Sequence, residues 1–386
     1  MEQIKTITIL GSTGSVGTQT VDVAANEQEN VSVYGISFNK NSELAERQAR
    51  QLGVKVAVSA DCDAAADLKV RLADTNIRVD AGEEAIQELA SVKADRVFNS
   101  ITGCAGLPAT LAAIRAGNML ALANKESLVS AGELVCSEAK RNNVTILPVD
   151  SEHTAIHECL RSGKKSEVKK LILTASGGPF FGKSHEELEK MTAKEALKHP
   201  NWSMGAKITV DSATLMNKGF EIVEAAYLFG VKNEEIDVVV HRESIIHSMV
   251  EYIDNTVIAQ MSLPDMRHSA EYALHYPDRR LSVTGELDLT LLSGLTFAKP
   301  DAKTFPMLSL GREILMRGQG FGSAVNAANE TAVWRFIRGE IGFGDIYRSV
   351  RFVLDRLSPS LSGVNDLETI YEIEKDARAL AASYKI

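Results

Sequence analysis

Short β-branched runs alternate with helix-length stretches over the first 150 residues. Residues 6–10, 31–37, 54–58, 96–99, 119–123 and 144–149 predict strands, and residues 42–52, 107–116 and 128–141 predict helices between them. The alternation predicts βαβ units and a mostly parallel, doubly wound, Rossmann-like sheet. Ligands of such sheets sit beyond the carboxyl ends of the strands. Gly11, Asn124 and Asp150 each fall just after a predicted strand.

After residue 150 the pattern changes. Residues 171–175 predict a strand running into Ser176-Gly177-Gly178-Pro179, and residues 236–241, 246–253 and 256–263 predict three more, the last two joined at Asp254-Asn255. The chain is therefore expected to be α/β with domains at 1–150, an α+β domain at 151–275, a loop-rich connector at 276–300 and a helical domain at 301–386.

Composition narrows the function. The 386 residues are 45% hydrophobic and 24% charged, ordinary for a globular protein. A net charge of −9 argues against a nucleic-acid or anionic-membrane surface, so an anionic ligand would need local cations or a metal. Cys62, Cys104, Cys136 and Cys159 show no C-x-x-C spacing and are expected to be reduced, which favours the cytoplasm. The short apolar run 7–10 leads into a glycine turn, so neither a signal peptide nor a membrane span is expected, and the Met1 start leaves no room for a transit peptide.

Gly11-Ser12-Thr13-Gly14-Ser15-Val16-Gly17 follows the first strand and opens a helix. Its glycines permit a tight turn and close approach of a pyrophosphate to helix N–H groups, although the spacing departs from G-x-G-x-x-G. At the end of the second strand stands Ser37-Phe38-Asn39-Lys40-Asn41, with no carboxylate before Glu43. That favours NADP over NAD, the bland alternative being that Lys40 is a solvated loop lysine.

Asp150 and Glu152, i and i+2 in an extended chain, would aim two carboxylates at one point. With Glu221 alongside they would hold Mg²⁺ or Mn²⁺ and leave positions open for a substrate. His153 and His157 lack the arrangement of a zinc site. Lys125, in Ala123-Asn124-Lys125-Glu126-Ser127, could meet a substrate oxygen or simply charge a helix start. Asp211-Ser212-Ala213-Thr214 reads as a helix start, after which Asn217 and Glu221 share a face with Lys218 adjacent. Taken alone, Lys218 and Glu221 would be an exposed pair. Gly219, in the middle of that helix, suggests close approach of a ligand or of another backbone. Trp202, in His199-Pro200-Asn201-Trp202-Ser203-Met204-Gly205, could be a lid residue or a core residue.

In this order, the motifs Gly-Ser-Thr-Gly-Ser-Val-Gly, Ala-Asn-Lys-Glu-Ser, Pro-Val-Asp-Ser-Glu-His, Ser-Gly-Gly-Pro-Phe, His-Pro-Asn-Trp-Ser-Met-Gly and Met-Asn-Lys-Gly-Phe-Glu closely resemble the 1-deoxy-D-xylulose 5-phosphate reductoisomerase family. The resemblance implies an NADPH- and divalent-metal-dependent rearrangement and reduction of that sugar phosphate to 2-C-methyl-D-erythrose 4-phosphate, in non-mevalonate isoprenoid synthesis. It implies that Thr13, Gly14, Ser15 and Val16 hold the pyrophosphate and that Asn39, Lys40 and Asn41 hold the 2′-phosphate end, with Asn124, Glu126 and Gly205 completing the NADPH site. Asp150, Glu152 and Glu221 match the metal ligands, and Lys125, Ser151, Glu152, Ser176, His199, Ser212, Asn217, Lys218 and Glu221 match the substrate positions. Lys125, Asp150, Glu152 and Glu221 would carry the catalysis, under a lid at about 176–206, in a cytoplasmic homodimer that binds neither nucleic acid nor membrane. Two departures stand out: Phe38, which would touch adenine packing, and Arg267-His268-Ser269-Ala270, which would touch subunit or interdomain contacts. The alternatives are a semialdehyde-type NADP-dependent dehydrogenase, which needs an activated cysteine, and a non-catalytic NADP-binding sensor.

Overall fold

A computed structural model describes residues 4–202, 204–358, 361–364 and 366–385. The chain forms two compact units, one from the residues up to Ser127 with Val135–Thr154 and Asp265–Gly285, the other from Leu128–Leu134, Ala155–Pro264 and Glu286–Ile386.

The first unit holds seven strands, β1 (Lys5–Leu10), β2 (Val31–Phe38), β3 (Val56–Ser59), β4 (Arg78–Ala81), β5 (Arg96–Asn99), β6 (Leu120–Leu122) and β7 (Ile146–Pro148). They form one parallel sheet in the order β4-β3-β2-β1-β5-β6-β7. Helices cover such sheets on both faces, and this explains why β3, β5 and β6 are unbroken buried runs. β4 escapes the sequence reading because it is short, lies at the sheet edge and has no buried residue. Ile7, Ile9, Ile36, Ala121 and Leu147 form the centre of the core.

Chain order reverses on the two sides of β1, so a switch point lies beyond the carboxyl ends of β1 and β5. The helix Met266–His275 belongs to this unit and adds Ala270, Ala273 and Leu274 to the core. Arg267 there pairs with Asp22 at 2.9 Å and Asp265 at 2.7 Å, so its contacts are internal to the unit. Phe38 is also an inside residue, 3% exposed within the core cluster.

The second unit has a four-stranded sheet in the order β11-β10-β8-β9, from β8 (Val168–Ala175), β9 (Ile236–Val240), β10 (Ile246–Tyr252) and β11 (Val257–Met261). β8 runs parallel to β9 and antiparallel to β10, and β10 returns into β11 through Asp254 and Asn255, the latter at φ +67°. The helix Met216–Phe229 packs on Met307–Arg317 so closely that a Cβ at Gly311 would lie 2.0 Å from the Gly219 carbonyl oxygen. The approach behind Gly219 is therefore that of a second backbone. The chain ends in helices Gln319–Ile337, Phe343–Leu357 and Leu367–Ser383, the first buried along most of its length.

Candidate active site

In the first unit, the turn after β1 is shaped by its glycines. Gly11 has φ +76°, and a Cβ there would lie 2.9 Å from the Ser100 carbonyl oxygen. A Cβ on Gly17 would lie 2.1 Å from the Gly11 oxygen, so the helix Ser15–Asn26 starts directly against the turn. Gly14 precedes that helix and no side chain caps it, leaving the helix N-terminus to face an anion, with Gly14 and Ser15 exposed and Thr13 and Val16 partly so. Ser37 ties this turn to β2, a contact that its place in the second motif does not reveal: its Oγ accepts from Gly11 N at 3.0 Å and its carbonyl from Ser12 N at 2.7 Å. Asn39, Lys40 and Asn41 follow as exposed residues, and Asn41 caps the helix Ser42–Leu52 by accepting from Leu44 N.

β5, β6 and β7 are neighbours, with Leu122 opposite Pro148, so the residues that follow β6 and β7 come together. Asn124 caps the helix Lys125–Arg141, accepting from Ser127 N at 2.9 Å and donating to Gly103 O at 2.8 Å. Lys125 Nζ lies 2.6 Å from Asp150 Oδ2, and both are nine-tenths buried. Burial alone would push the Asp150 carboxyl up, but the Lys125 ammonium, with His153 and Glu152 behind it, holds it well below the usual carboxylate range. Asn124 Nδ2 also reaches Glu126 Oε2 at 3.4 Å. Glu152 departs from the extended geometry expected of it. The helix Ser151–Cys159 begins directly after Asp150, so Glu152 sits in a first turn, where Ser151 Oγ donates to its Oε2 at 2.5 Å. A helix start places acidic side chains near backbone N–H groups, and the i, i+2 strand argument does not apply.

In the second unit, β8 ends at Ala175, and Ser176 leads into Gly177 and Gly178 with φ +74° and +65°. A Cβ on Gly178 would lie 2.6 Å from Ser212 O, which brings the turn against the end of helix Ala206–Thr214. Ser176 Oγ and His199 Nε2 are 2.9 Å apart. His199 Nδ1 accepts from Asn201 N at 3.2 Å and Trp202 N at 3.0 Å, so the imidazole carries its proton on Nε2 and donates to Ser176. Trp202 is half-buried with its ring 5.9 Å from that of His247, and Ser203 lies outside the described residues. Gly205 precedes the helix Ala206–Thr214. Between these points, residues 180–196 dock within the unit: the Phe180 and Phe343 rings meet edge-on at 5.1 Å, and Arg348 grips both Glu189 oxygens at 2.8 and 3.0 Å.

Asp211 is not a helix start. It lies near the end of Ala206–Thr214, and Leu215 at φ +62° separates that helix from Met216–Phe229. Buried Asp211 accepts from Asn329 Nδ2 at 2.8 Å and pairs with Lys207 at 2.9 Å, a structural bracket beside the partly buried Ser212. On the next helix Asn217 Nδ2 donates to Glu221 Oε1 at 2.6 Å and Lys218 Nζ to Glu221 Oε2. Lys218 is 4% exposed and Glu221 0%, where the local pattern alone suggested a solvated pair. Both oxygens of this carboxylate are thus fixed in direction before any ligand arrives.

Burial pushes the Cys136 thiol up to about 11 and Cys159 up to about 12, so neither is a thiolate nucleophile at neutral pH. No helix among the described residues is long and apolar enough to cross a membrane.

Three family models match the chain: 1-deoxy-D-xylulose 5-phosphate reductoisomerase over residues 7–132, its C-terminal domain over 146–229, and the DXP reductoisomerase C-terminal domain over 261–380. The chain is 50% identical to 1-deoxy-D-xylulose 5-phosphate reductoisomerase of Thermoanaerobacter pseudethanolicus over 341 residues, 88% of this chain and 89% of the relative. It is similar to the Zymomonas mobilis enzyme solved with NADPH, at TM-score 0.93, 41% identity and 99% of both chains. It is also similar to a DOX-P reductoisomerase solved with NADPH, fosmidomycin and magnesium, at TM-score 0.94, 38% identity and 98% of both chains. The chain belongs to the 1-deoxy-D-xylulose 5-phosphate reductoisomerase family.

Proposed function

We propose that this chain converts 1-deoxy-D-xylulose 5-phosphate to 2-C-methyl-D-erythrose 4-phosphate with NADPH and Mg²⁺ or Mn²⁺, in non-mevalonate isoprenoid precursor synthesis. The observation that carries this is the family membership, with likeness to solved members across 98–99% of the chain. The geometry within each unit agrees with it.

The residues present suit both groups. The uncapped helix N-terminus behind Gly14, packed against the turn where a Cβ on Gly17 would collide, suits a pyrophosphate, and Lys40 with Asn39 and Asn41 suits a 2′-phosphate. Asn124, Glu126 and Gly205 complete that reading of the cofactor site. Asp150, Glu152 and Glu221 are hard oxygen donors of the kind Mg²⁺ and Mn²⁺ take. The cofactor supplies a hydride and the cation a Lewis acid that gathers substrate oxygens. Lys125, fixed by Asp150, supplies a positive charge for the oxygen that becomes negative as the carbon–carbon bond shifts. Ser151, Asn217, Lys218 and Glu221 orient the hydroxyls, and Ser176, His199 and Ser212 take the phosphate. The segment 176–206 closes with Trp202 and keeps water from the aldehyde intermediate.

The domain reading follows the same division of labour, residues 1–150 binding NADPH, 151–275 carrying substrate and metal, 276–300 connecting and 301–386 forming a helical support, with the difference that Asp265–Gly285 packs within the first unit. A homodimer is favoured by the outer strand β11, with Val257 46% exposed beside Ile253, and by Leu289 and Leu291 exposed in the stretch 286–297. The four cysteines without a disulfide favour a cytoplasmic setting.

The test is incubation with 1-deoxy-D-xylulose 5-phosphate, Mn²⁺ and NADPH while following reduced-nicotinamide absorbance and identifying the product. Substrate-dependent, metal-dependent oxidation yielding the methylerythrose phosphate supports the reading; NADPH binding without turnover would leave a sensor in its place.

A further inference from the structure

Arg242, in the turn between β9 and β10, has no part in the reading above. Its Nη1 donates to Ser176 O at 2.5 Å and Gly178 O at 2.7 Å, and its guanidinium carbon lies 5.2 Å from the centre of the Phe181 ring. The turn it grips contains two successive positive-φ glycines, the residues that lose most freedom on being ordered. A trans peptide points its C=O and N–H to opposite sides. With the Ser176 carbonyl turned to Arg242, the Gly177 N–H is aimed away from the guanidinium, while the Gly178 N–H is held on Ser176 Oγ at 3.2 Å.

The main chain of the same residue secures the neighbouring segment. Arg242 O accepts from Asn201 Nδ2 at 2.6 Å, and Asn201 Nδ2 also donates to Ser244 Oγ at 2.8 Å. Asn201 N is one of the two donors that fix the His199 ring. One residue thus braces the serine-glycine turn with its side chain and the histidine segment with its backbone, all within the second unit.

The geometry points to Arg242 as a positioning residue that presets the Ser176–Gly178 turn for the phosphate of the sugar substrate, an inference that rests on Ser176 and His199 being substrate contacts. Nη1 is committed to two carbonyl oxygens, so its role is to shape the turn, and the stacked planar guanidinium suits this where an ammonium does not.

Steady-state kinetics of Arg242→Met, Arg242→Lys and Ser176→Ala with 1-deoxy-D-xylulose 5-phosphate, alongside NADPH affinity and thermal midpoint, tests this. Arg242→Met is expected to raise the KM about tenfold or more, the scale of lost hydrogen bonds to a charged group, with a smaller change in kcat and NADPH affinity unchanged. Arg242→Lys should fall between it and wild type. The effect of Arg242→Met should shrink in a Ser176→Ala background, because both act on one turn. A wild-type KM in Arg242→Met while Ser176→Ala raises it overturns the inference alone; a wild-type KM in Ser176→Ala overturns the site reading beneath it. Should Arg242→Met fail to fold, Arg242→Lys decides: a raised KM supports the inference and a wild-type KM overturns it.

Discussion

Each unit carries a glycine turn directly after a strand, and the two are built to different plans. The turn Gly11–Gly17 runs into the helix Ser15–Asn26, so backbone N–H groups and the helix dipole can meet an anion with little help from side chains. The turn Ser176–Pro179 is followed by nothing longer than the four-residue helix His185–Leu188, and Ser176, His199 and Arg242 surround it instead. A helix supplies its donors ready-aligned. A turn without one must be shaped by side chains arriving from elsewhere in the chain. The first plan is visible in a short motif, whereas the second depends on residues 23 and 66 positions away.

The comparison predicts separable functions, and the largest effect should come from Glu221→Gln. The substitution keeps the shape but removes a charge that Asn217 and Lys218 hold in place, and weakens the buried pair with Lys218. Metal-dependent turnover should fall on the order of a hundredfold or more, and metal affinity with it, while fluorescence titration shows NADPH binding unchanged. Unaltered turnover would sink the metal reading, and a parallel loss of NADPH binding would show that Glu221 and the first turn do not act separately.

Gly17→Ala should produce the converse. Its Cβ would meet the Gly11 oxygen at 2.1 Å, so the first turn must shift. Calorimetry should show a loss of about 1–3 kcal/mol in stability, as for overpacking elsewhere. NADPH should bind more weakly, with metal affinity retained. An unchanged NADPH dissociation constant would mean that the close approach of helix and turn is not what seats the cofactor.

The smallest effect belongs to exposed Lys40, the side-chain supplement to the backbone plan. Lys40→Ala should weaken NADPH by no more than about 1.5–3 kcal/mol, the range for a hydrogen bond to a charged group, and leave NADH nearly unchanged. Equal losses for both cofactors would make the lysine a support of its loop.

The spacing of Asn217, Lys218 and Glu221 announces one helical face, because i, i+3 and i+4 neighbours meet on any α-helix. The burial of Lys218 and Glu221 was hidden, since spacing along one helix says which side chains share a face and not whether that face is covered. Asp150 was legible as a strand-end residue. Its partnership with Lys125 required β6 and β7 to be neighbours. The readings of Glu152 as extended and of Asp211 as a helix start failed for one reason: helix boundaries depend on capping and on the left-handed Leu215, which local patterning does not resolve. The burial of Phe38 was not legible, because a large apolar residue at a strand end suits a ligand or a core equally well.

From local pattern alone come the alternation that makes a doubly wound sheet, the glycine turn after β1, the reductoisomerase motifs and the helical face of Glu221. These follow from backbone geometry and periodicity, which act over a few residues. Only the tertiary structure decided which strand ends lie side by side, that Lys125 neutralises Asp150, that Lys218 and Glu221 are sealed from water, and that Arg242 holds the Ser176 turn. Each is a contact between distant parts of the chain, and its strength comes from burial and charge pairing that exist once the chain has folded.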